Sequence, residues 1–72
     1  MNYRRLRKEM NLTQEELGKL IGMDQPNIVK LENSDDSILR VQKMKILLLA
    51  LDKGVITNEE YSKEMIRLIK AK

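Results

Sequence analysis

The chain has 72 residues, a formal net charge of +3, and neither cysteine nor histidine. Its length suffices for one small domain, and the missing residue types exclude disulfides, the usual kind of zinc site and a Cys or His catalytic pair. The net charge suits an anionic partner, although a lysine-rich surface in solvent would explain it nearly as well.

Aromatic residues are scarce, with two tyrosines and no tryptophan or phenylalanine. A base-stacking platform for single-stranded nucleic acid is therefore not expected. The apolar run over residues 46–51 is too short to span a bilayer, and the chain does not open with a signal-peptide pattern. We accordingly expect a cytoplasmic protein without a membrane partner.

The first predicted helix covers residues 2–10. Its apolar residues share one face at helical spacing: Tyr3, Leu6 and Met10. Arg7 borders that face, and Asn11 suits a left-handed residue that closes the helix. Three basic residues project elsewhere: Arg4, Arg5 and Lys8. They are phosphate contacts or a solvated face, and we favour the solvated face for a basic run near the N-terminus.

Residues 14–33 predict a helix, a short turn with a glycine, and a second helix. Thr13 and Glu16 have capping-box spacing at the start of the first. The apolar face of that helix follows: Leu17, Leu20 and Ile21. Gly22 sits where a helix ends in a left-handed residue, and Asp24 is a good N-cap for the next helix.

In the second helix of this pair, Ile28 and Leu31 are expected to face inward. The polar residues are left to face outward: Gln25, Asn27 and Lys30. Pro26 lies in the first turn, where its missing N–H costs nothing. Gly18, inside the preceding helix, costs about 1 kcal/mol relative to alanine, so we expect a close approach of the next helix there.

This stretch resembles the helix-turn-helix of the Cro/C1-type (Xre-like) DNA-binding family. The resemblance runs from residue 6 to about residue 51. It rests on residues at matching positions: Leu12-Thr13-Gln14, Leu17, Gly18, Gly22, Met23, Ile28, Leu31 and Glu32-Asn33. It implies an all-α, five-helix, lambda-repressor-like domain over residues 1–72, which binds DNA and usually dimerises. The family more often has alanine at the position of Gly18.

Arg7 and Glu32 both border apolar positions. A charge beside a core is tolerated when it is paired. The resemblance implies that the arginine at this place bridges to the glutamate ending the recognition helix. We therefore predict a structural salt bridge between Arg7 and Glu32, which ties the first helix to the third.

Residues 33–37, NSDDS, predict a turn. Asp35 and Asp36 would either repel a DNA backbone or cap the following helix near Ser37, and we favour capping. That helix is predicted over residues 38–52 with an apolar stripe: Val41, Met44, Leu48 and Leu51. Three more apolar residues widen the stripe: Ile46, Leu47 and Leu49. Such a helix is buried on more than one side, by the fifth helix, by a second subunit or by both.

Thr57 and Glu60 have the spacing of a second capping box, which starts a final helix over about residues 58–71. The apolar residues of this helix share a face, which Ile66 extends: Tyr61, Met65, Leu68 and Ile69. Lysine and arginine gather towards its C-terminal end, where the helix dipole favours cations. A solvated helix end is favoured over phosphate binding there.

A helix in the major groove reads base edges with side chains near its N-terminus. The candidate base contacts lie in the helix over residues 25–32: Gln25, Pro26, Asn27 and Lys30. The amide of Gln25 can pair with adenine, and the ring of Pro26 can touch a thymine methyl. The candidate phosphate contacts are Gln14, Asn33 and Arg40. The alternative for all of them is an ordinary exposed polar face, which composition alone would favour.

We predict a sequence-specific transcriptional regulator, a Cro-like repressor of phage or mobile-element type, that binds a double-stranded DNA operator as a homodimer. It needs no cofactor and no metal. The alternative is a phage switch modulator or antirepressor that binds a partner repressor protein. A variant of this alternative is an antitoxin that binds both DNA and a toxin. An enzyme is not expected, because no pair of nucleophile and base can be read in the sequence.

Overall fold

A computed structural model of the protein describes residues 1–33 and 39–70. Within these residues the chain forms five α-helices and no β-strand. In chain order the helices are α1 (Tyr3–Glu9), α2 (Gln14–Ile21), α3 (Gln25–Asn33), α4 (Arg40–Asp52) and α5 (Asn58–Lys70). The predicted roles of Asp35, Asp36 and Ser37 fall outside the described residues.

The predicted helix ends form through local side-chain chemistry. Thr13 Oγ1 accepts from the N–H of Glu16 at 3.1 Å, and Glu16 Oε1 accepts from the N–H of Thr13 at 2.9 Å. These bonds lower the pKa of Glu16. The same reciprocal pair at Thr57 and Glu60 starts α5. Asn11 closes α1 with a φ of 59°, a left-handed conformation that asparagine tolerates.

The core is a cluster of apolar side chains from all five helices. Its fully buried members are Leu17, Ile28, Leu31, Ile46, Leu47, Ala50 and Leu68. Tyr3 and Leu6 of α1, and Met10 directly after that helix, are buried beside them. The fourth helix lies at the centre, because α4 contacts α1, α2 and α5. Lys43 of α4 is also fully buried, and its Nζ lies 5.5 Å from the centre of the Tyr3 ring, within range of a cation–π interaction.

The predicted inner face of α4 is wrong. Val41 and Leu48 are 58% and 57% exposed, and Met44 and Leu51 are half-buried. The buried side consists instead of Lys43, Ile46, Leu47 and Ala50. Apolar residues surround most of this helix, so their spacing does not distinguish the buried arc from the exposed one. The contacts of α4 with α1, α2 and α5 determine which side of this helix is buried.

Two smaller parts of the prediction also fail. Leu20 in α2 and Ile69 in α5, predicted to face inward, are exposed, and so is Ile66. Each lies at the edge of the apolar arc of its helix. In α5 the buried positions are Leu68 and, unexpectedly, the carboxylate residue Glu64.

Glu64 is buried because it has partners there. Tyr3 Oη donates to Glu64 at 2.6 Å, and Arg67 donates through Nε at 2.8 Å and through Nη2 at 2.6 Å. Burial acts to raise the pKa of Glu64, but the hydrogen bonds from Arg67 and Tyr3 outweigh burial and lower it. These three side chains tie the start of α1 to α5.

Candidate nucleic-acid interface

The third helix has a buried side and an exposed side, as predicted. Ile28 and Leu31 are fully buried. The exposed side carries the candidate base contacts: Gln25, Pro26, Asn27 and Lys30. Because α3 packs on α1 and α2, these side chains stand on a helix that is held from behind by the core.

The turn between α2 and α3 is held by its own backbone. Gly22 has a φ of 74°, and the N–H of Met23 donates to the carbonyl oxygen of Gly18 at 2.8 Å. Asp24 precedes α3, and its carbonyl oxygen accepts from the N–H of Asn27 at 3.0 Å and from that of Ile28 at 3.1 Å. These bonds set the position of α3 relative to α2.

Gly18 is required by this turn rather than by α3. A Cβ at residue 18 would collide with the carbonyl oxygen of Met23. The side chain of Ile28 in α3 would lie 3.6 Å from that Cβ, which is an ordinary contact. The prediction that a close approach of the third helix requires a glycine here is therefore wrong. The backbone of the turn excludes a side chain at residue 18.

The pair predicted from the sequence, Arg7 and Glu32, forms behind this surface. Arg7 Nε donates to Glu32 Oε2 at 2.5 Å, and Nη2 donates to Oε1 at 3.4 Å. Arg7 Nη1 also donates to the carbonyl oxygen of Leu12 at 2.9 Å. The two side chains are only 10% and 3% exposed, so each charge depends on the other for compensation.

Two glutamines extend this ion pair to the surface. Gln14 Nε2 donates to Glu32 Oε1 at 3.2 Å, and Gln25 Nε2 donates to Gln14 Oε1 at 3.2 Å. We call Arg7, Glu32, Gln14 and Gln25 the glutamine network. The sequence pointed to all four residues, but it did not show that the glutamines meet, because they belong to different helices.

The glutamine network orients the carboxamide of Gln25. A primary amide has two N–H donors and one carbonyl acceptor. Among the described residues, the bond to Gln14 uses one N–H, which leaves the second N–H and the carbonyl oxygen for a partner. One donor and one acceptor on the same amide match N7 and the N6 amino group of adenine.

Arg4 belongs to this surface, although the sequence favoured a solvated face for it. It lines a cleft of about 470 Å³ whose other walls are Arg7, Thr13, Gln14, Glu15 and Gln25. It also lines a cleft of about 710 Å³ that reaches Asn33. The spacing along the chain could have indicated that Arg4 belongs to this surface. Arg4 precedes Arg7 by three residues and therefore lies on the same side of α1.

The three predicted phosphate contacts lie at separate helix ends. Gln14 is the first residue of α2 and is half-buried in the glutamine network. Asn33 is the exposed last residue of α3, and Arg40 is the half-buried first residue of α4. The structure thus brings Gln14 beside Gln25 and puts Asn33 at the opposite end of α3.

Two helices joined through a left-handed glycine, with an exposed polar face on the second, define a helix-turn-helix protein. Comparison with known families matches residues 4–56 to the family described as helix-turn-helix, HTH_3. The match covers well over half of the sequence, and the chain belongs to the Cro/C1-type helix-turn-helix family. The all-α, lambda-repressor-like fold is confirmed, and the chain is a DNA-binding regulator of this class. No curated protein and no solved structure matches it.

Over residues 1–33 and 39–70, no helix is both long and apolar enough to cross a bilayer. Over the same residues, no three acidic side chains come together as a cluster that could hold a metal ion.

Proposed function

We propose that the protein is a sequence-specific transcriptional regulator that acts as a Cro-like repressor of phage or mobile-element type. The observation that carries the proposal is the position of Gln25, which is exposed at the start of α3 and hydrogen-bonded to Gln14. A helix presented in this way enters the major groove of duplex DNA with its N-terminal residues against the base edges.

Base reading centres on Gln25. Its Oε1 accepts from the N6 amino group of an adenine, and its second amide N–H donates to N7. The ring of Pro26 touches the methyl group of a thymine, and Asn27 and Lys30 face neighbouring base edges, where Lys30 reaches guanine acceptors. A good bidentate contact discriminates against a wrong base by about 1–3 kcal/mol.

Phosphate contacts position α3 without reading sequence. Gln14 and Arg4 hold the DNA backbone beside Gln25, since both line the cleft next to it. The charge of Arg4 displaces a condensed counterion, which makes binding favourable and salt-dependent. Asn33 and Arg40 contact phosphates further along the groove.

A single α3 covers too few base pairs for useful specificity, so the protein binds as a homodimer. A two-fold symmetric operator offers two half-sites about 34 Å apart, which is one turn of DNA. Occupation of such an operator excludes polymerase or a rival repressor. The repressor role follows from this competition for the same stretch of DNA.

The test is selection of duplexes from a random-sequence library by the purified protein, followed by footprinting. We expect a protected pseudopalindrome with half-site centres about 34 Å apart and an affinity that falls steeply with salt. Tight binding by the protein alone would exclude a role directed purely at another repressor. A library from which no duplex is enriched would contradict the proposal.

A further inference from the structure

The cleft that Arg4 and Asn33 line extends as far as the fifth helix. Its volume is about 710 Å³, and its wall on α5 is Arg67. Arg4 also lines the smaller cleft beside Gln25, so the two clefts meet at this side chain. The depression that they form together leads from the proposed base-reading residue, past Arg4, to a second arginine on the last helix.

Glu64 holds the guanidinium group of Arg67 in place. Arg67 donates to this carboxylate through Nε at 2.8 Å and through Nη2 at 2.6 Å. The Glu64 side chain is only 7% exposed, and Tyr3 Oη donates to it at 2.6 Å from α1. Because Arg67 is already ordered by this buried carboxylate, a ligand that binds it pays little of the free energy of ordering the side chain.

Arg67 retains donors and access to solvent beside this pair. A guanidinium group has five N–H donors, and two of them serve the bonds to Glu64. The side chain of Arg67 is 44% exposed, whereas that of its partner is nearly shielded. An anion that approaches from solvent therefore meets the cation of the pair and not the carboxylate. Phosphate oxygens are strong acceptors for the N–H groups of arginine.

Arg4 presents another cation to the same cleft. It is exposed, and its side chain makes no hydrogen bond or ion pair with any residue in the ranges 1–33 and 39–70. Two arginines along one depression suit a ligand that carries negative charges in a row, and a DNA strand has such a row in its phosphates. A strand that passes Arg4 therefore offers further phosphates along the cleft.

We propose that Arg67 binds a phosphate of the DNA backbone that passes Arg4, through the N–H groups that Glu64 leaves available. The contact extends the DNA interface onto α5, which lies beyond residues 4–56, the range that matches the family. It is therefore a property of this chain and is not implied by the helix-turn-helix. The inference rests on the proposed function, because it concerns the same bound duplex.

The chain offers a matched cation on α5 as a control. Lys63 also pairs with a carboxylate of its own helix, Glu59, at 3.0 Å. It does not line the cleft of Arg4 and Arg67. Lys63→Gln removes one positive charge from α5, as Arg67→Gln does, so the comparison separates a phosphate contact from a general electrostatic effect.

The first experiment compares the salt dependence of two variants that both lack the ion pair. Glu64→Gln keeps the cation of Arg67, and the double variant Glu64→Gln with Arg67→Gln removes it without leaving a buried carboxylate uncompensated. Fluorescence anisotropy measures binding of the selected duplex at several salt concentrations, and circular dichroism melting checks that the variants fold. The double variant should have a salt slope smaller by about 1 than Glu64→Gln, whereas Lys63→Gln should keep the wild-type slope.

The second experiment locates the phosphate. Single phosphates of the selected duplex are replaced, one at a time, by uncharged methylphosphonates. Glu64→Gln should bind more weakly to the duplex modified at the phosphate that Arg67 contacts, and the double variant should not respond to that replacement. The phosphate should differ from the one at which Arg4→Ala ceases to respond.

Three results would each overturn the contact. They are equal salt slopes for Glu64→Gln and the double variant, an equal loss of slope in Lys63→Gln, and the same methylphosphonate pattern for Glu64→Gln and the double variant. Each of these results leaves duplex binding by the wild type intact, so it differs from failure of the proposed function. A selection that enriches no duplex would overturn both.

Discussion

Gln14 and Gln25 are joined by a hydrogen bond of 3.2 Å across the turn between α2 and α3. The bond connects the first residue of one helix to the first residue of the next. Because Gln14 also donates to Glu32, the exposed amide that we propose to read DNA is anchored to a shielded ion pair. DNA reading and fold stability therefore depend on one set of side chains.

Gln14→Ala removes the group that orients Gln25. We expect the affinity for the selected duplex to fall about tenfold, because the variant loses the bond that orders Gln25 as well as the phosphate contact proposed for Gln14 itself. Fluorescence anisotropy titration measures the change. Ser62→Ala, at an exposed position on α5, is the neutral control and should bind like the wild type. An unchanged affinity for Gln14→Ala would show that the glutamine network does not position Gln25.

Arg7→Ala leaves the shielded carboxylate of Glu32 without its cation. Removing one partner of such a pair costs about 3–5 kcal/mol, so we expect a loss of this size in the free energy of unfolding. Urea denaturation followed by circular dichroism measures it.

Arg5→Ala is the matched control for Arg7→Ala, on the same helix. Arg5 pairs with Glu9 at 2.9 Å, but its side chain is 75% exposed. Such a surface pair contributes about 0–1 kcal/mol, so this variant should unfold almost like the wild type. Similar losses for both arginine variants would contradict a special role for the Arg7 and Glu32 pair.

Local chemistry explains why the helix-turn-helix could be predicted from sequence. The capping box of Thr13 and Glu16, and the left-handed Gly22, involve residues at most three positions apart or a single backbone conformation. Their geometry depends little on the rest of the chain. The two inward residues of α3, Ile28 and Leu31, were predictable for the same reason, because the polar residues around them leave one apolar side.

Features that depend on packing between helices were not predictable in this way. In α4 the sequence offers apolar residues on nearly every side, so Ile46 and Leu48 look alike until the neighbouring helices are placed. The buried Glu64 becomes acceptable only when Tyr3 and Arg67 surround it. The bond between Gln14 and Gln25 depends on the distance between two helices, and this distance cannot be predicted from the spacing of residues along the chain.

Arg4→Ala should weaken DNA binding without changing sequence preference. A phosphate contact contributes through counterion release, so its loss should lower the affinity for all duplexes alike and reduce the salt slope by about 1. Binding titrations at several salt concentrations, on the selected duplex and on a scrambled one, measure both quantities. Arg5→Ala removes the same charge from the same helix, but outside the cleft lined by Gln14 and Gln25. An equal change of salt slope in both variants would show that Arg4 contributes only through the net charge of the protein and not through a specific phosphate contact.

Acid should weaken the tie between α1 and α5. The folded-state pKa of Glu64 is lowered from its ordinary value of 4.5, so the stability that Glu64 contributes is present above pH 4.5 and is lost as the pH falls through the folded-state value. Glu64→Gln cannot titrate. The wild type should therefore lose its advantage over this variant in the free energy of unfolding as the pH is lowered from 7 to about 3. A difference that stays constant over this range would contradict the account.

The central claim is that Gln25 reads an adenine in the major groove. The most direct measurement replaces the half-site adenines of the selected duplex, one at a time, with 7-deaza-adenine, which lacks the N7 acceptor. Wild-type protein should bind one of these duplexes about tenfold more weakly, whereas Gln25→Ala should bind that duplex and the unmodified one equally. If no replacement weakens the wild type, or if the replacement weakens both proteins alike, the adenine contact does not exist.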